Sequence, residues 1–188
     1  TNQPFPALGG AVFSSATQTW EADADIGAAV LGFAPGTQRS IHVRTAATEE
    51  LLRDPFNAVD TSQVQTAFAY GAYGNATQTT VATFTGAGAA VATVSTANSY
   101  GDDAGAWRLG RLTASTVTHA RPGLASVVRS SSFEYDMAGG GPRTGQLLAE
   151  RVQSGGGASL DLRTHYALDE YGNRLQATTC AASATDCA

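Results

Sequence analysis

The sequence predicts an all-β chain built from repeated antiparallel β-hairpins, and three observations carry that expectation. First, residues alternate: Val64, Thr66, Phe68 and Tyr70 fall at period two, as do Leu160, Leu162, Thr164, Tyr166 and Leu168. Period two marks one face of a strand. Second, both runs end in a short polar turn closed by aromatic-Gly-Asn, Tyr73-Gly74-Asn75 and Tyr171-Gly172-Asn173. Gly and Asn tolerate the positive φ that a tight reversal needs. Third, no stretch of the 188 residues demands a long helix.

The elements follow in order. Residues 1–40 form an N-terminal β segment that is poorly legible, with Phe13 and Trp20 as expected core anchors. Ala28 to Phe33 reads as a short buried run, and Pro35-Gly36 as a turn. The alternating acids Glu21, Asp23 and Asp25 invite a calcium loop. Ile26 stands where such a loop needs Gly, and Gly32 where it needs Glu, so the wet face of a strand explains them better. Ile41 to Arg44 is an expected strand. Thr48 to Arg53 resembles one helical turn cut by Asp54-Pro55, and a turn between strands is expected there.

Val64 to Tyr70 is the first clear strand and Ala76 to Phe84 its return, reversed again at Gly86-Ala87-Gly88. Ala92 to Tyr100 alternates into an expected turn at Gly101-Asp102-Asp103. After Trp107, the Thr-rich, β-branched half ending at Thr118 is a strand, turned by Arg121-Pro122-Gly123. Val127 to Tyr135 alternates into Asp136 and a loop at Gly139-Gly140-Gly141-Pro142. Leu147 to Gln153 is extended, Gly155-Gly156-Gly157 turns, and the strand ending at Leu168 returns after Asn173. The corner residues Tyr70, Tyr100, Tyr135 and Leu168 recur at intervals of 30, 35 and 33 residues, the period of a double hairpin.

Composition bounds the function. Charged residues are 14 % of the chain, against about 25 % in an average globular protein. A net charge of −5 without a basic cluster argues against nucleic-acid binding. No apolar run approaches the roughly 18–20 residues of a membrane span. The chain opens on Thr with no signal-peptide pattern, as an excised or processed segment would. Cys180 and Cys187, in the tail 180–188, either close a small disulfide loop in an oxidising compartment or stand as two thiols.

Four corners at this spacing resemble the YD-repeat, or Rhs, family, whose mark is a recurring Tyr-Asp-x-x-Gly-Asn. Tyr70-Gly71-Ala72-Tyr73-Gly74-Asn75 matches it with Gly71 in the Asp position. Leu168-Asp169-Glu170-Tyr171-Gly172-Asn173 matches with Leu168 in the Tyr position. Phe133-Glu134-Tyr135-Asp136 carries the literal Tyr-Asp pair but exchanges Gly-Asn for a glycine loop, and Trp107 to Thr113 resembles a segment common between such corners. The resemblance covers residues 41–179. It implies part of a larger curved β-shell that encloses a cytotoxic cargo. The partners are then the remainder of the same polypeptide and an enclosed toxin domain, in a secreted or cell-surface setting in bacteria. It also implies structural corner residues and no cofactor.

Chemistry gives way to structure elsewhere. His42, His119 and His165 are far apart, and no histidine or second cysteine pair stands near Cys180 and Cys187 to make a zinc site. Asp102-Asp103, Asp136 and Asp169 each follow a corner residue (Tyr100, Tyr135, Leu168), where Asp caps a reversal. Gly139 to Gln146 lacks the Gly-Lys-Ser/Thr end of a phosphate loop. The expectation is a non-enzymatic protein. The alternative is a module binding carbohydrate or a partner protein through Tyr73, Tyr171 and Trp107. Packing between hairpins is the more economical role for those rings, and truncating Tyr70 or Phe133 should then cost about 3–5 kcal/mol.

Overall fold

The computed structural model describes residues 14–23, 42–54, 56, 59–86, 88–137, 141–153 and 160–181. It is all-β. Among the described residues, ten strands form an antiparallel sheet in which spatial order follows chain order. They are β1 Ser14–Asp23, β2 His42–Arg53, β3 Asp60–Tyr70, β4 Ala76–Phe84 and β5 Ala90–Asp103. The second five are β6 Arg108–Ala120, β7 Val127–Tyr135, β8 Leu147–Val152, β9 Leu162–Leu168 and β10 Arg174–Ala181. β1 and β10 are the edges. No helix among the described residues is long and apolar enough to cross a membrane.

Small side chains set how little is buried. Among the described residues only Ala149 and Asp161 are buried, and most strand positions are half-exposed. Ala, Ser and Thr remove little apolar area from water. The ladder hydrogen bonds and a few large contacts therefore carry more of the fold than a thick core would.

The chain divides into two compact units. The first comprises residues 1–69, 79–94 and 119–126. In it β2 pairs with β1 on one side and β3 on the other. Thr48 to Arg53 is strand, not the helical turn or reversal its composition suggests. Thr48 stands opposite Thr66, Glu50 opposite Val64 and Leu52 opposite Ser62. One isolated helical turn has a costly nucleus, and two flanking ladders outweigh the local preference. Gln63 donates its amide to the Glu49 carboxylate, and Arg44 donates to Glu21 at 2.8 Å. Trp20 is 57 % exposed on edge strand β1, so it is not a core anchor. Phe13, the run 28–33, Pro35-Gly36 and the glycine turn 155–157 lie outside the described residues.

The second unit comprises residues 70–78, 95–118 and 127–188. β5 runs on through Gly101-Asp102-Asp103, and the reversal falls at Ala104 to Trp107 instead. The two acids cap that turn from the strand. Asp103 Oδ1 accepts from the Ala106 N–H at 3.0 Å, and Asp102 Oδ1 from the Gly110 N–H at 2.7 Å. β7, β8 and β9 then align Glu134, Ala149 and His165 in one cross-strand row. Two rows on, Arg151 stands opposite Arg163, a like-charge pair. Asp161 holds Arg151 through two bonds of 2.7 and 2.5 Å, and Glu134 holds Arg163 at 2.8 Å.

Candidate functional site

Three hairpin turns of the second unit close with the same backbone bonds. In the β3–β4 turn the Gly71 N–H donates to Asn75 O at 2.9 Å, and the Gly74 N–H to Gly71 O at 3.0 Å. In the β9–β10 turn Asp169 N–H donates to Asn173 O at 2.9 Å, and Gly172 N–H to Asp169 O at 3.2 Å. The β7–β8 turn repeats the pattern across a longer loop. Asp136 N–H donates to Gln146 O at 2.9 Å and Gly145 N–H to Asp136 O at 2.5 Å. Gly145-Gln146 thus supplies the Gly-Asn step that the sequence hides behind residues 137–144.

The β5–β6 hairpin joins them through Gly110, the third residue of β6, whose N–H donates to Asp102 Oδ1. Gly74, Gly110, Gly145 and Gly172 have φ of 81°, 72°, 89° and 88°, conformations that L side chains resist. Asn75, Gln146 and Asn173, which follow three of them, stand directly before their return strands, and Arg111, which follows Gly110, lies within β6. Gly110-Arg111 and Gly145-Gln146 are corner residues that the motif search passes over, because neither carries the Asn.

These corners touch in sequence. A Cβ on Gly110 would lie 2.8 Å from both amide atoms of Asn75. A Cβ on Gly145 would meet the Arg111 guanidinium, and one on Gly172 would lie 3.1 Å from Pro142 O and 3.2 Å from Gln146 Cγ. Each corner glycine after the first is therefore roofed by the residue that follows the preceding corner glycine, or by its loop. Absence of a side chain is what lets successive corners stack.

The corner tyrosines tie the strands in the same direction. Tyr100 Oη donates to Ala76 O at 2.9 Å, and Tyr135 Oη donates to Leu112 O at 2.9 Å. In each case the acceptor lies two residues beyond the preceding corner glycine. Leu168 has no hydroxyl for the third joint, and there Tyr166 donates to Glu150 at 2.9 Å instead. Burial, then the Glu150 bond, pushes the Tyr166 phenol above its ordinary value, while the Arg174 guanidinium lies 3.6 Å over its ring.

The Asp position divides by neighbour. Asp169 accepts from the Tyr171 and Asn173 N–H groups at 2.9 and 2.8 Å, and from Asn173 Nδ2 at 2.8 Å. The Asn173 side-chain bond, with backbone N–H bonds behind it, lowers the carboxyl below the usual value. Asp136 pairs with Arg143 at 3.4 Å. Gly71, in the same position, faces the Thr77 methyl, 3.3 Å from where a Cβ would stand, and Gly101 faces Thr113 at 3.2 Å. A threonine three residues past the corner glycine fills the space an Asp would need.

The remaining predicted residues separate by exposure. Tyr70, Tyr73, Phe133, Tyr135 and Leu168 are half-buried. Trp107 and Tyr171 are 61 % and 68 % exposed, so their rings do not pack between hairpins. Trp107 lies in the β5–β6 turn and Tyr171 in the β9–β10 turn. Cys180 on β10 is disulfide-bonded, and Cys187 lies outside the described residues.

A cleft of about 240 Å³ opens between Asp102, Asp103 and Arg111 on one side and Phe133, Tyr135 and Met137 on the other. Ligand pockets that enclose a small molecule start at roughly 300 Å³. Arg111 fills part of the mouth, donating to the Met137 sulfur at 3.1 Å with its guanidinium 5.8 Å from the Tyr135 ring. Among the described residues, no three His, Cys, Asp or Glu side chains gather as a metal site would need. The corner bonds hold backbone in register. No family model and no curated protein matches the chain.

Proposed function

We propose that this chain is a wall segment of a larger curved β-shell of the YD-repeat, or Rhs, type, which encloses or presents a toxin or effector cargo. The stacked corners carry the proposal. Four positive-φ glycines recur, three turns share one bond pattern, and two corner tyrosines reach back to equivalent carbonyls. Repetition of this kind suits architecture, because each unit buries its surface on its neighbours. The partners are then the remainder of the same polypeptide and the cargo, and the setting is a secreted or cell-surface bacterial assembly. The role requires no catalytic group or cofactor.

The test uses the full-length gene product with its flanking sequence. Its cargo segment should resist protease while the shell is intact, and become cleavable when Gly110→Ala loosens the corners. A segment cleaved as fast as the free domain from the outset would overturn the enclosure role.

One observation favours a second role, recognition of carbohydrate or a partner protein: Trp107 and Tyr171 present exposed rings at turn tips. Saturable binding on a glycan array, lost in Trp107→Ala and Tyr171→Ala, would support it.

A further inference from the structure

The chain's single methionine, Met137, stands beside an arginine whose charge is poorly met. Arg111 Nη1 donates to the Met137 sulfur at 3.1 Å, and its guanidinium lies 5.8 Å from the Tyr135 ring centre. A thioether is a weak acceptor, and a ring at that distance is near the outer limit of a cation–π contact. Among the described residues Arg111 forms no ion pair. Asp102 and Asp103 line the same cleft, but their carboxylates are engaged by the Gly110 and Ala106 N–H groups.

The contact joins two hairpins. Arg111 lies in β6, Met137 follows β7, and the guanidinium stands over Gly145, where a Cβ would collide with it. A stronger acceptor at position 137 therefore tightens the β5–β6 and β7–β8 corners against each other.

Oxidation supplies such an acceptor. Met137 is 54 % exposed, so a peroxide reaches it from solvent. Sulfur carries two lone pairs, and Arg111 Nη1 engages one of them. The other attacks an oxygen of hydrogen peroxide: the S–O bond forms and the O–O bond breaks. The departing hydroxide takes the proton of the transferred oxygen. Sulfur is thus oxidised by two electrons to the sulfoxide, and the peroxide is reduced to water. The sulfoxide oxygen accepts strongly, and its bond to a guanidinium is charge-assisted. Three rotatable bonds in the methionine side chain let the new oxygen turn onto Arg111.

We infer that Met137 is a site of reversible oxidation whose sulfoxide clamps the two corners through Arg111, so that oxidation stabilises this part of the sheet. The usual consequence is the opposite, since a sulfoxide formed in an apolar core disrupts its packing.

The test treats the 188-residue chain with hydrogen peroxide, locates the product by peptide mass mapping and follows melting by circular dichroism. Met137 should gain one oxygen atom. The melting temperature should rise by about 2–4 °C, the shift that one strengthened hydrogen bond gives a chain of this length. A methionine sulfoxide reductase with a dithiol as reductant should return it to its starting value. In Arg111→Ala the oxidised and reduced proteins should melt together. Met137→Gln carries a permanent carbonyl acceptor and, without oxidant, should melt about 2–4 °C above Met137→Leu. That pair decides the matter even if Arg111→Ala does not fold.

Failure of Met137 to oxidise in the folded chain overturns the inference, as does a melting temperature that stays or falls on oxidation. A rise that survives in Arg111→Ala overturns it too, and so does equal melting of the Gln and Leu variants.

Discussion

Gly110→Ala isolates the corner stacking. Two terms act on it. The alanine must hold φ near 72°, a left-handed conformation that costs an L residue about 1–2 kcal/mol. Its Cβ must also find room 2.8 Å from the Asn75 amide, and overpacking of this kind costs roughly 1–3 kcal/mol. Together the loss should be about 2–5 kcal/mol. Gly74→Ala is the control, since its φ is 81° and no atom lies within 4 Å of the added Cβ. It should cost about 1–2 kcal/mol, the conformational term alone. Urea unfolding followed by Trp fluorescence and circular dichroism measures both. In a double-mutant cycle, Asn75→Ala should offset part of the Gly110→Ala loss, because it removes the colliding amide. If Gly110→Ala costs no more than Gly74→Ala, or the cycle shows no coupling to Asn75, the stacking of these corners does not contribute to stability.

Other consequences can be checked in the same way. Tyr135→Phe should lose about 1 kcal/mol, the value of a typical neutral hydrogen bond. Tyr100→Phe should lose less, because Asn98 Nδ2 remains a donor to Ala76 O at 3.2 Å. Asp169 has its carboxyl held below the ordinary value, so its contribution is complete above that value and disappears as pH falls through the lower, folded one. Asp169→Asn should flatten the acid limb of stability against pH, and an unchanged limb would count against the corner bonds. Phe133 is half-buried, so its truncation should cost about 2 kcal/mol, not the 3–5 of a full core aromatic. Trp20→Ala, at an exposed position, should stay within about 0.5 kcal/mol of wild type.

The strands were legible where side chains alternate in size. β7 falls at the boundaries that period two predicts, β4 at those of the expected return strand, and β3 begins only a few residues earlier than its alternation. Thr48 to Arg53 was misleading because Glu and Leu favour helix locally, while the competing term is a ladder to residues far along the chain. Asp102 and Asp103 read as turn residues, since sequence shows that an acid caps a reversal but not whether it does so from within the strand.

The corners were legible where Gly precedes Asn and hidden where it does not. Nothing local marks Gly110 or Gly145 among 21 glycines, since what singles them out is the atom standing over each. Trp107 and Tyr171 show the opposite limit. Hydrophobicity alone cannot say whether a ring at a turn tip has a neighbour to pack on.

The β7–β8 turn also bears on engineering. Asp136 and Gly145-Gln146 close the same ring of bonds as the short turns, although residues 137–144 intervene where residues 72–73 suffice in the β3–β4 turn. Closure is decided at the two ends, and chain entropy grows only slowly with loop length, about 0.6 kcal/mol per doubling. That turn is therefore a natural port. An epitope, a fluorophore site or a protease sequence placed between Met137 and Gly141, ahead of the Pro142 carbonyl that roofs Gly172, should leave every strand in place, giving the sheet a handle that does not disturb its register.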